Sequence, residues 1–360
     1  MRILFLNQYF PPDPAPTGVL LSEIADALKA AGHEVVLASS GQDYRAPKSG
    51  SRMKRELQGL WSIFRTALRA GRVDAVVSAT SPPLLAVVAG VIAKLRRARH
   101  YHWLFDMYPE LATALGEVPN GMVTGMFSTA MGWAYRGANC VVALDEDMAE
   151  RLGGYGVNAM IIQPWVLEPM LKARAATDWA DESVATQGGE RIWLYSGNLG
   201  RAHEWRTLLD AQKVLEDSGP QWRLVFQGGG PSWKAAQEYA ERLGLKRCDW
   251  RPYVPEKDLP ASLLAADVLV VTQKPETCGL LWPSKLALVT SLPRVILWVG
   301  PTNRAIARDL AKLPQAGIFA PGDAGGAAKW LSDPCVECVL RDPVVTRQAA
   351  IQEWVDIIRG

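Results

Sequence analysis

Short apolar runs alternate with longer stretches of helical pattern through the first 165 residues. Runs of five or six mostly apolar residues stand at 3–7, 34–39, 74–79, 100–105, 140–144 and 159–163, and a helix-length segment separates each from the next. Continuous apolar runs of this length are typical of strands buried on both faces, and their alternation with helices is typical of a parallel, doubly wound sheet. The pattern predicts an α/β, Rossmann-like domain over residues 1–165.

The alternation stops at residues 166–190, where a proline, acidic residues and a Gly-Gly pair are typical of a linker. It resumes with strand-like runs at 191–197, 222–227, 247–250, 267–273, 294–299 and 316–320. Helical patterns occupy 205–217, 233–243, 259–265, 283–289, 303–313 and 324–331. We therefore expect a second doubly wound domain over 191–340 and a helical segment in 341–360 that packs back towards the first domain. Two such domains facing each other would enclose a ligand cleft.

Composition narrows the function classes. The 360 residues carry 39 basic against 37 acidic side chains, so no global positive field marks a nucleic-acid binder. Five cysteines, an odd number without regular spacing, favour a reducing cytoplasm over a disulfide-built secreted domain. The opening MRILFLNQYF is typical of a buried strand rather than an export signal, and no apolar stretch approaches the ~20 residues of a membrane span.

Ligand-binding residues are expected in the loops that follow strands. After the first strand, Thr17 is positioned to cap a helix, Gly18 would leave backbone N–H groups open to a ligand, and Tyr9 lies in the same loop. A plain strand-to-helix turn explains this loop equally well. The loop lacks the G-x-G-x-x-G dinucleotide fingerprint, which disfavours an NAD enzyme.

Polar and aromatic residues also cluster at the end of the fourth strand. His102 and Asp106 share a strand face, but four residues of strand separate them by about 13 Å, which is too far for a hydrogen-bonded pair. Each is therefore a candidate on its own, with Tyr108 beside them, while a core role remains the alternative for His102. The run Asp145-Glu146-Asp147 is interpreted as carboxylates in a first helical turn rather than as a metal clamp.

The second domain has three glycine-containing loops. One carries Gly197, Asn198, Arg201 and His203, which suit an anion held by backbone N–H groups and a guanidinium, and the next carries the glycines 228–230. In the third, Pro283 is expected at the first helical position. Ser284 and Lys285 would then lie in the first turn, where a cation is unfavourable unless an anion binds. Glu276 in this loop is a candidate acceptor for sugar hydroxyls.

Together these segments resemble the retaining group-1 (family 4) glycosyltransferases of the GT-B fold. The motifs that carry the resemblance are LFLNQYFPPDPAPTG at 4–18, GHEV at 32–35, DMYPE at 106–110, SGNLGRAH at 196–203, GGGP at 228–231 and PSKL at 283–286. They are most similar to the subgroup that adds sugars to lipid-linked or polysaccharide acceptors in bacterial envelope synthesis. The resemblance implies transfer of a sugar from a nucleoside-diphosphate donor, with UDP as the default, to an acceptor hydroxyl with retention and without a metal.

The resemblance also assigns roles. Glu276 would contact the donor sugar, and Ser284 stands eight residues later, where the family has a second Glu. Arg201 matches the arginine on the diphosphate; His203 stands where a lysine is usual, and Lys285 would supply that charge. The remaining expected donor-binding residues are Gly18, Gly197, Asn198, Gly229 and Gly230; Asp106 would face the reacting sugar carbon, and the expected acceptor-side residues are Tyr9, His102 and Tyr108.

Two alternatives stay open: a GT-B-fold sugar-nucleotide epimerase, and a degenerate nucleotide-sugar-binding partner subunit. Residues 45–72 bear on the acceptor, because they hold eight basic residues against one acid. Their apolar residues recur at helical spacing, namely Met53, Leu57, Leu60, Trp61, Phe64 and Leu68. Packing of this stripe on the sheet is the default expectation. The alternative is contact with anionic lipid at the inner face of the cytoplasmic membrane.

Overall fold

The computed structural model describes residues 1–42, 52–175, 189–219, 221–333 and 338–360. The chain divides into two compact units. The first unit comprises Met1–Leu167, Gly279–Trp282 and Arg347–Gly360, and the second comprises Glu168–Cys278 and Pro283–Thr346. Four residues from the middle of the second predicted domain thus belong to the first unit, which no periodicity indicated.

The elements up to residue 167 follow the predicted alternation. They are β1 (Arg2–Leu6), α1 (Pro16–Ala30), β2 (Glu34–Ala38), α2 (Arg52–Arg69), β3 (Ala75–Ser78), α3 (Leu85–Arg96), β4 (Arg99–Trp103), α4 (Glu110–Ala114), α5 (Met122–Gly137), β5 (Cys140–Ala143), α6 (Glu146–Gly153) and β6 (Met160–Ile161).

The elements from residue 168 onward form a second series. They are α7 (Glu168–Ala175), β7 (Arg191–Asn198), α8 (Arg206–Ser218), β8 (Trp222–Gly229), α9 (Trp233–Leu243), β9 (Cys248–Arg251), α10 (Leu259–Leu264), β10 (Val268–Thr272), α11 (Leu286–Val289), β11 (Val295–Val299), α12 (Ala305–Leu310), β12 (Ala316–Phe319), α13 (Ala324–Ser332) and α14 (Pro343–Arg359). Short 3₁₀ turns cover Glu256–Asp258 and Pro275–Thr277. Helix α7 lies inside the predicted linker 166–190, of which residues 176–188 are outside the described part of the chain.

Each unit contains one six-stranded sheet. The first sheet has the order β2-β1-β3-β4-β5-β6 and the second has β12-β11-β10-β7-β8-β9, and the strand pairs within both are parallel. In the middle of the sheets, β3, β10 and β11 are buried along their whole length, which is why they read as unbroken apolar runs. The prediction of two doubly wound parallel sheets is confirmed.

The core of the first unit is built partly by its last helix. Trp103 of β4 is fully buried and stacks on Trp165 with ring centroids 5.4 Å apart. Trp354 of α14 is also fully buried, and its ring lies 5.1 Å from that of Trp103. Because these rings bury large apolar areas, α14 is an integral part of this unit's core.

Helix α2 divides the apolar stripe between two environments over residues 57–68; the side chain of Met53 lies outside the described residues. Leu60 and Ile63 are buried against β1, β3 and α3, whereas Leu57 and Trp61 remain 56% and 60% exposed. Phe64 is half-buried and stacks on Trp61 with a centroid distance of 5.8 Å. Packing on the sheet therefore accounts for one face of the helix and leaves an apolar face at the surface. No helix in the described residues is long and apolar enough to cross a bilayer.

Candidate functional site

The loops after β7 and β10 meet where the strand order of the second sheet reverses. β7 and β10 are neighbours in the sheet but far apart in the chain. The amide of Lys274 donates to the carbonyl of Ala202 at 2.8 Å, and Nδ1 of His203 lies 2.9 Å from the carbonyl oxygen of Thr272. In open α/β sheets such a reversal is the place where ligands bind, outside the carboxyl ends of the strands.

Glycines remove side chains from the ends of β7 and β8. Gly197 and Gly228 lie opposite each other in register, with φ of +128° and +139°. A Cβ on Gly228 would overlap the carbonyl oxygen of Gly197, and one on Gly230 would lie 2.5 Å from Oδ1 of Asn198. The glycines are therefore required by the chain's own close packing, and they leave unsubstituted backbone at the strand ends.

Lys285 places a buried amine beside this backbone. Its Nζ is inaccessible to solvent and has no hydrogen-bond partner in the described residues. It lies 3.4 Å from the centroid of the Tyr195 ring and close to Gly197, where an added Cβ would be 3.7 Å away. Burial lowers the pKa of Lys285 to about 7. Burying the charged form of this amine costs free energy unless an anion lies beside it. A buried amine without a partner is therefore what we expect of an anion-binding site.

His203 is held neutral beside that amine. Burial first, and then the charge of Lys285, lowers the pKa of His203 to about 3. With Nδ1 on the Thr272 carbonyl, the neutral ring donates there. Its ring also meets Tyr195 edge-on at 5.7 Å. At neutral pH His203 therefore carries no charge, and its contact with Thr272 fixes the loop that contains Arg201.

The other predicted donor-side residues lie at the surface of the second unit. Arg201, Glu276, Ser284 and Asn198 are exposed. Gly229, at the end of β8, lies against the ring of Tyr253, where an added Cβ would be 3.2 Å from the ring edge. These side chains are accessible to a ligand in solution.

The prediction of a helix over 283–289 is wrong in its first half. Helix α11 has only four residues, with Lys285 as its N-cap, and the amide of Leu286 donates to the carbonyl of Pro283 in a preceding turn. Pro283 is therefore not at the first helical position, and a helix this short has little dipole to oppose a cation. The electrostatic conflict at Lys285 arises from burial instead.

The first-unit loop after β1 is packed against itself. Gly18 lies inside α1, its amide donates to the carbonyl of Ala15 at 2.9 Å, and a Cβ would overlap the carbonyl oxygen of Tyr9. The amide of Gly18 itself is therefore not open to a ligand, and the missing side chain is required by the backbone of the loop; a role of Gly18 in donor binding stays a prediction. Thr17 does not cap the helix either: Ala15 is the N-cap and no side chain caps it.

His102 is a core residue rather than an acceptor-side residue. It is fully buried in β4, and Nδ1 lies 2.9 Å from Oγ of Ser78, which also contacts His100. Burial, and then the neighbouring His100, lowers the pKa of His102 to about 3. The ring lies in the middle of the sheet, hydrogen-bonded to Ser78 and covered by Tyr135 of α5 rather than at a strand end, so this predicted role is corrected.

Asp106 and Tyr108 are half-buried at the end of the same chain segment. Asp106 forms an antiparallel bridge with Leu281, and the amide of Met107 donates to the carbonyl of Leu280 at 2.8 Å. The segment 279–282 thus fixes the backbone on which Asp106 stands. The sequence pattern assigned 279–282 to the second domain, so it did not predict these backbone contacts with 106–107.

Asp145 caps the helix that follows it. Its Oδ1 accepts from the amide of Met148 at 2.8 Å, which makes it the N-cap of α6. Burial is the largest effect on this carboxyl and raises its pKa to about 6. This structural role agrees with the interpretation of residues 145–147 as first-turn carboxylates. In the described residues no group of three or more His, Cys, Asp or Glu side chains is placed to hold a metal ion.

Sequence reasoning missed Tyr195, whose ring covers Lys285. The only signal was an aromatic residue immediately before the Ser-Gly-Asn at the end of β7. It also missed a polar link in the first unit, where Oγ of Ser81 donates to Oε1 of Gln8 at 2.6 Å and joins the loops after β1 and β3. Both contacts join residues that are distant in the chain.

Comparisons with known proteins cover both units. The family model "Glycosyl transferase 4-like domain" matches residues 17–163, and the model "Glycosyl transferases group 1" matches residues 178–281. WcaI of Escherichia coli (strain K12), whose name assigns it to colanic acid biosynthesis as a glycosyl transferase, is 23% identical over 333 residues, covering 81% of each chain.

Solved structures resemble the whole chain in fold. The apo form of WaaB, a lipopolysaccharide outer core galactosyltransferase, has a TM-score of 0.63 at 14% identity and covers 100% of this chain and 98% of its own. Anabaena Alr3699/HepE in complex with UDP and glucose has a TM-score of 0.59 at 16% identity, covering 99% of this chain and 94% of its own. At sequence identities of 14–16%, these similarities show a shared fold and nothing more.

Proposed function

Because the chain belongs to the group-1 glycosyltransferases, we propose that it transfers a sugar from a nucleoside diphosphate to a hydroxyl of a glycan or lipid-linked acceptor, with retention at the anomeric carbon. UDP is the favoured carrier, in keeping with the UDP bound to HepE. The names of WcaI and WaaB, which refer to colanic acid and lipopolysaccharide, support synthesis of an envelope polysaccharide.

The observation that carries the donor site is the buried amine of Lys285. It lies at the reversal of strand order, beside bare glycine backbone, with no acceptor in the described residues. A diphosphate oxygen would supply that acceptor, and the exposed guanidinium of Arg201 follows in the adjoining loop. A charge-assisted hydrogen bond of this kind is about twice as strong as a neutral one.

The chemistry proposed for these residues is stabilisation of the leaving group. As the bond from the sugar to the diphosphate breaks, negative charge grows on the diphosphate, and Lys285 and Arg201 are positioned to neutralise it. No metal is needed for that step in this proposal. Glu276 is exposed in the turn after β10, and its carboxylate would accept hydrogen bonds from hydroxyl groups of the donor sugar. Asp106 of the first unit remains the proposed residue facing the reacting carbon.

A nucleotide panel tests the donor site. UDP, GDP, ADP and their common sugar conjugates are titrated into wild type, Lys285→Ala and Lys213→Ala by calorimetry, with and without EDTA. We expect one nucleotide to bind regardless of EDTA, and Lys285→Ala to weaken it by about 10- to 100-fold, since a hydrogen bond to a charged group is worth about 1.5–3 kcal/mol. Lys213→Ala, which removes an exposed cation paired with Asp217, should bind as wild type does.

The panel also separates the alternatives. Folded protein that binds no nucleotide would refute the donor site and favour the partner-subunit hypothesis. A bound sugar nucleotide that is converted to its epimer without any acceptor would instead identify an epimerase. Loss of binding on adding EDTA would contradict the metal-independent mechanism.

We also propose that the first unit contacts anionic lipid at the cytoplasmic face of the membrane. The exposed face of α2 carries Leu57, Trp61 and Leu68, and Lys54, Arg65 and Arg69 are exposed on the same helix. Apolar side chains beside basic ones are typical of helices that lie in a membrane interface. An acceptor on a lipid carrier would be reached from that position.

Vesicle flotation tests this contact. We expect wild type to float with vesicles of phosphatidylcholine and phosphatidylglycerol but not with phosphatidylcholine alone, because the basic residues need anionic lipid. The variant Leu57→Glu/Trp61→Glu should remain at the bottom of the gradient, unbound to vesicles. Val214→Glu, at a half-exposed apolar position of the second unit, is the matched control and should float. Wild type that stays down with both vesicles would refute the contact.

A further inference from the structure

The environment of Lys285 has a consequence for how the donor binds. Resting on the donor site proposed above, we propose that a nucleoside diphosphate binds together with one proton, which the Lys285 amine takes up from solvent. In the unliganded protein near neutral pH the amine is then uncharged in a large fraction of molecules. In the complex it is an ammonium ion facing the diphosphate.

The surroundings of the amine disfavour charge in the unliganded chain. Nζ is buried, and in the described residues no carboxylate or carbonyl accepts a hydrogen bond from it. The Tyr195 ring at 3.4 Å gives the ammonium form some attraction through its π face, but it accepts no strong hydrogen bond. A buried ammonium with only a ring as partner loses most of its hydration without replacement.

The titratable groups around the amine do not restore its charge. Tyr195 of β7 keeps its proton, because burial raises its pKa. His203, in the loop after β7, stays neutral because burial and the charges of Lys285 and Lys274 lower its pKa. None of these groups supplies a negative charge that would hold Lys285 as an ammonium ion, whereas a bound diphosphate would.

The protonation step balances with solvent as the proton source. The neutral amine of Lys285 takes one proton from water or buffer, and the resulting ammonium donates to a diphosphate oxygen. No bond to carbon or phosphorus changes, and no electron is transferred. Because the nearby anion favours the charged form, the pKa of Lys285 should rise on binding from its value of about 7.

Calorimetry in different buffers measures the proton directly. UDP is titrated at pH 8 in PIPES, HEPES and Tris at equal ionic strength, and the observed enthalpy is plotted against the buffer's ionisation enthalpy. We expect a slope of about 0.9 proton taken up at pH 8, falling to about 0.5 at pH 7, as follows from a group with a pKa near 7 that is charged in the complex. At pH 8 the nucleotide's own phosphate, with a pKa near 6, is already ionised.

Two variants assign the proton to its residue. Lys285→Arg keeps a permanent positive charge, so it should bind UDP with no proton uptake. Lys274→Arg fixes the charge of the neighbouring lysine and should leave the uptake unchanged. Wild type that binds UDP at pH 8 without taking up a proton would overturn the proposal and leave the donor site standing. Uptake that persists in Lys285→Arg would assign the proton to another group and overturn it as well.

A measurement without nucleotide keeps this inference separate from the proposed function. In protein labelled with ¹³C at lysine Cε, the NMR signal missing from Lys285→Arg identifies Lys285. We expect this signal to titrate near pH 7, whereas most lysines titrate near 10.4. Titration near pH 10 would refute the inference whether or not UDP binds. Titration near 7 without UDP binding would refute the donor site alone.

Discussion

Replacing Gly228 with alanine should destabilise the second unit by about 4 kcal/mol, the largest effect we expect from a single methyl group in this protein. The added Cβ would overlap the carbonyl oxygen of Gly197, which is backbone of the adjacent strand and cannot rotate away. In addition, φ of +139° is a conformation that residues with side chains rarely adopt. Backbone strain of this kind costs about 1–3 kcal/mol, and overpacking adds a similar amount.

Gly244→Ala is the matched control for this prediction. Gly244 also has a positive φ, +68°, but an added Cβ would meet no atom within 4 Å. Its replacement should therefore cost about 1–2 kcal/mol, from the left-handed conformation alone. Urea unfolding followed by tryptophan fluorescence compares the two variants. If both unfold at the same urea concentration, the close approach of β7 and β8 is not the constraint described here.

Acidification should destabilise the first unit between pH 6.5 and 4, because two neutral histidines are buried in its core. Burial lowers the pKa of His100 to about 4 and that of His102 to about 3. In the unfolded chain both titrate near 6.5. The folded state therefore binds fewer protons in this range, and stability that is fully present above pH 6.5 is lost as the pH falls. Well below pH 6.5, each histidine lowers the free energy of unfolding by about 1.4 kcal/mol for each unit by which the pH falls.

Asp145 offsets part of this loss. Its pKa is raised to about 6, so the folded state binds a proton that the unfolded state releases, and stability from this group grows as the pH falls from 6 towards 4. Between pH 6.5 and 5 the two histidines lose about 3 kcal/mol and Asp145 returns about 1 kcal/mol, a net loss of about 2 kcal/mol. Thermal unfolding at a series of pH values should show Tm falling steadily over this range.

Variants identify the groups responsible. His102→Gln removes one titrating ring, so Tm should fall less steeply with decreasing pH than in wild type, whatever its value at pH 7. His33→Gln, at the start of β2 near the N-terminus, should leave the slope closer to that of wild type. An unchanged slope in His102→Gln would mean that the buried ring is not what makes the first unit acid-sensitive.

The strands of this protein were predictable because their signal is local. A run such as 268–271 or 295–299, with no polar residue, favours burial on both faces, which the interior of a parallel sheet provides. The start of helix α11 at Leu286 was not predictable in the same way. Proline at a first helical position is a statistical preference, whereas the turn at Pro283–Lys285 depends on how the following residues pack.

The candidate site was predictable by residue type and only partly by role. The second-domain glycines, Arg201 and Lys285 were predicted as site residues because strand ends in doubly wound sheets bind ligands, and the structure places them in the segments that follow β7, β8 and β10. His102 was misplaced, because period two gives the face of a strand but not whether that face is covered. Helix α5 covers it, with Tyr135 lying 5.6 Å from the His102 ring.

The two parallel sheets, the loops that carry the polar residues and the resemblance to a transferase family could all be predicted from local sequence, since periodicity and short motifs are properties of neighbouring residues. Three features depend on tertiary packing: Lys285 lies buried over Tyr195, Gly18 packs on its own loop, and 279–282 joins the first unit. Burial and the partner of a charge depend on segments far apart in the chain. Those two quantities set the pKa values from which the predicted acid sensitivity and proton uptake follow.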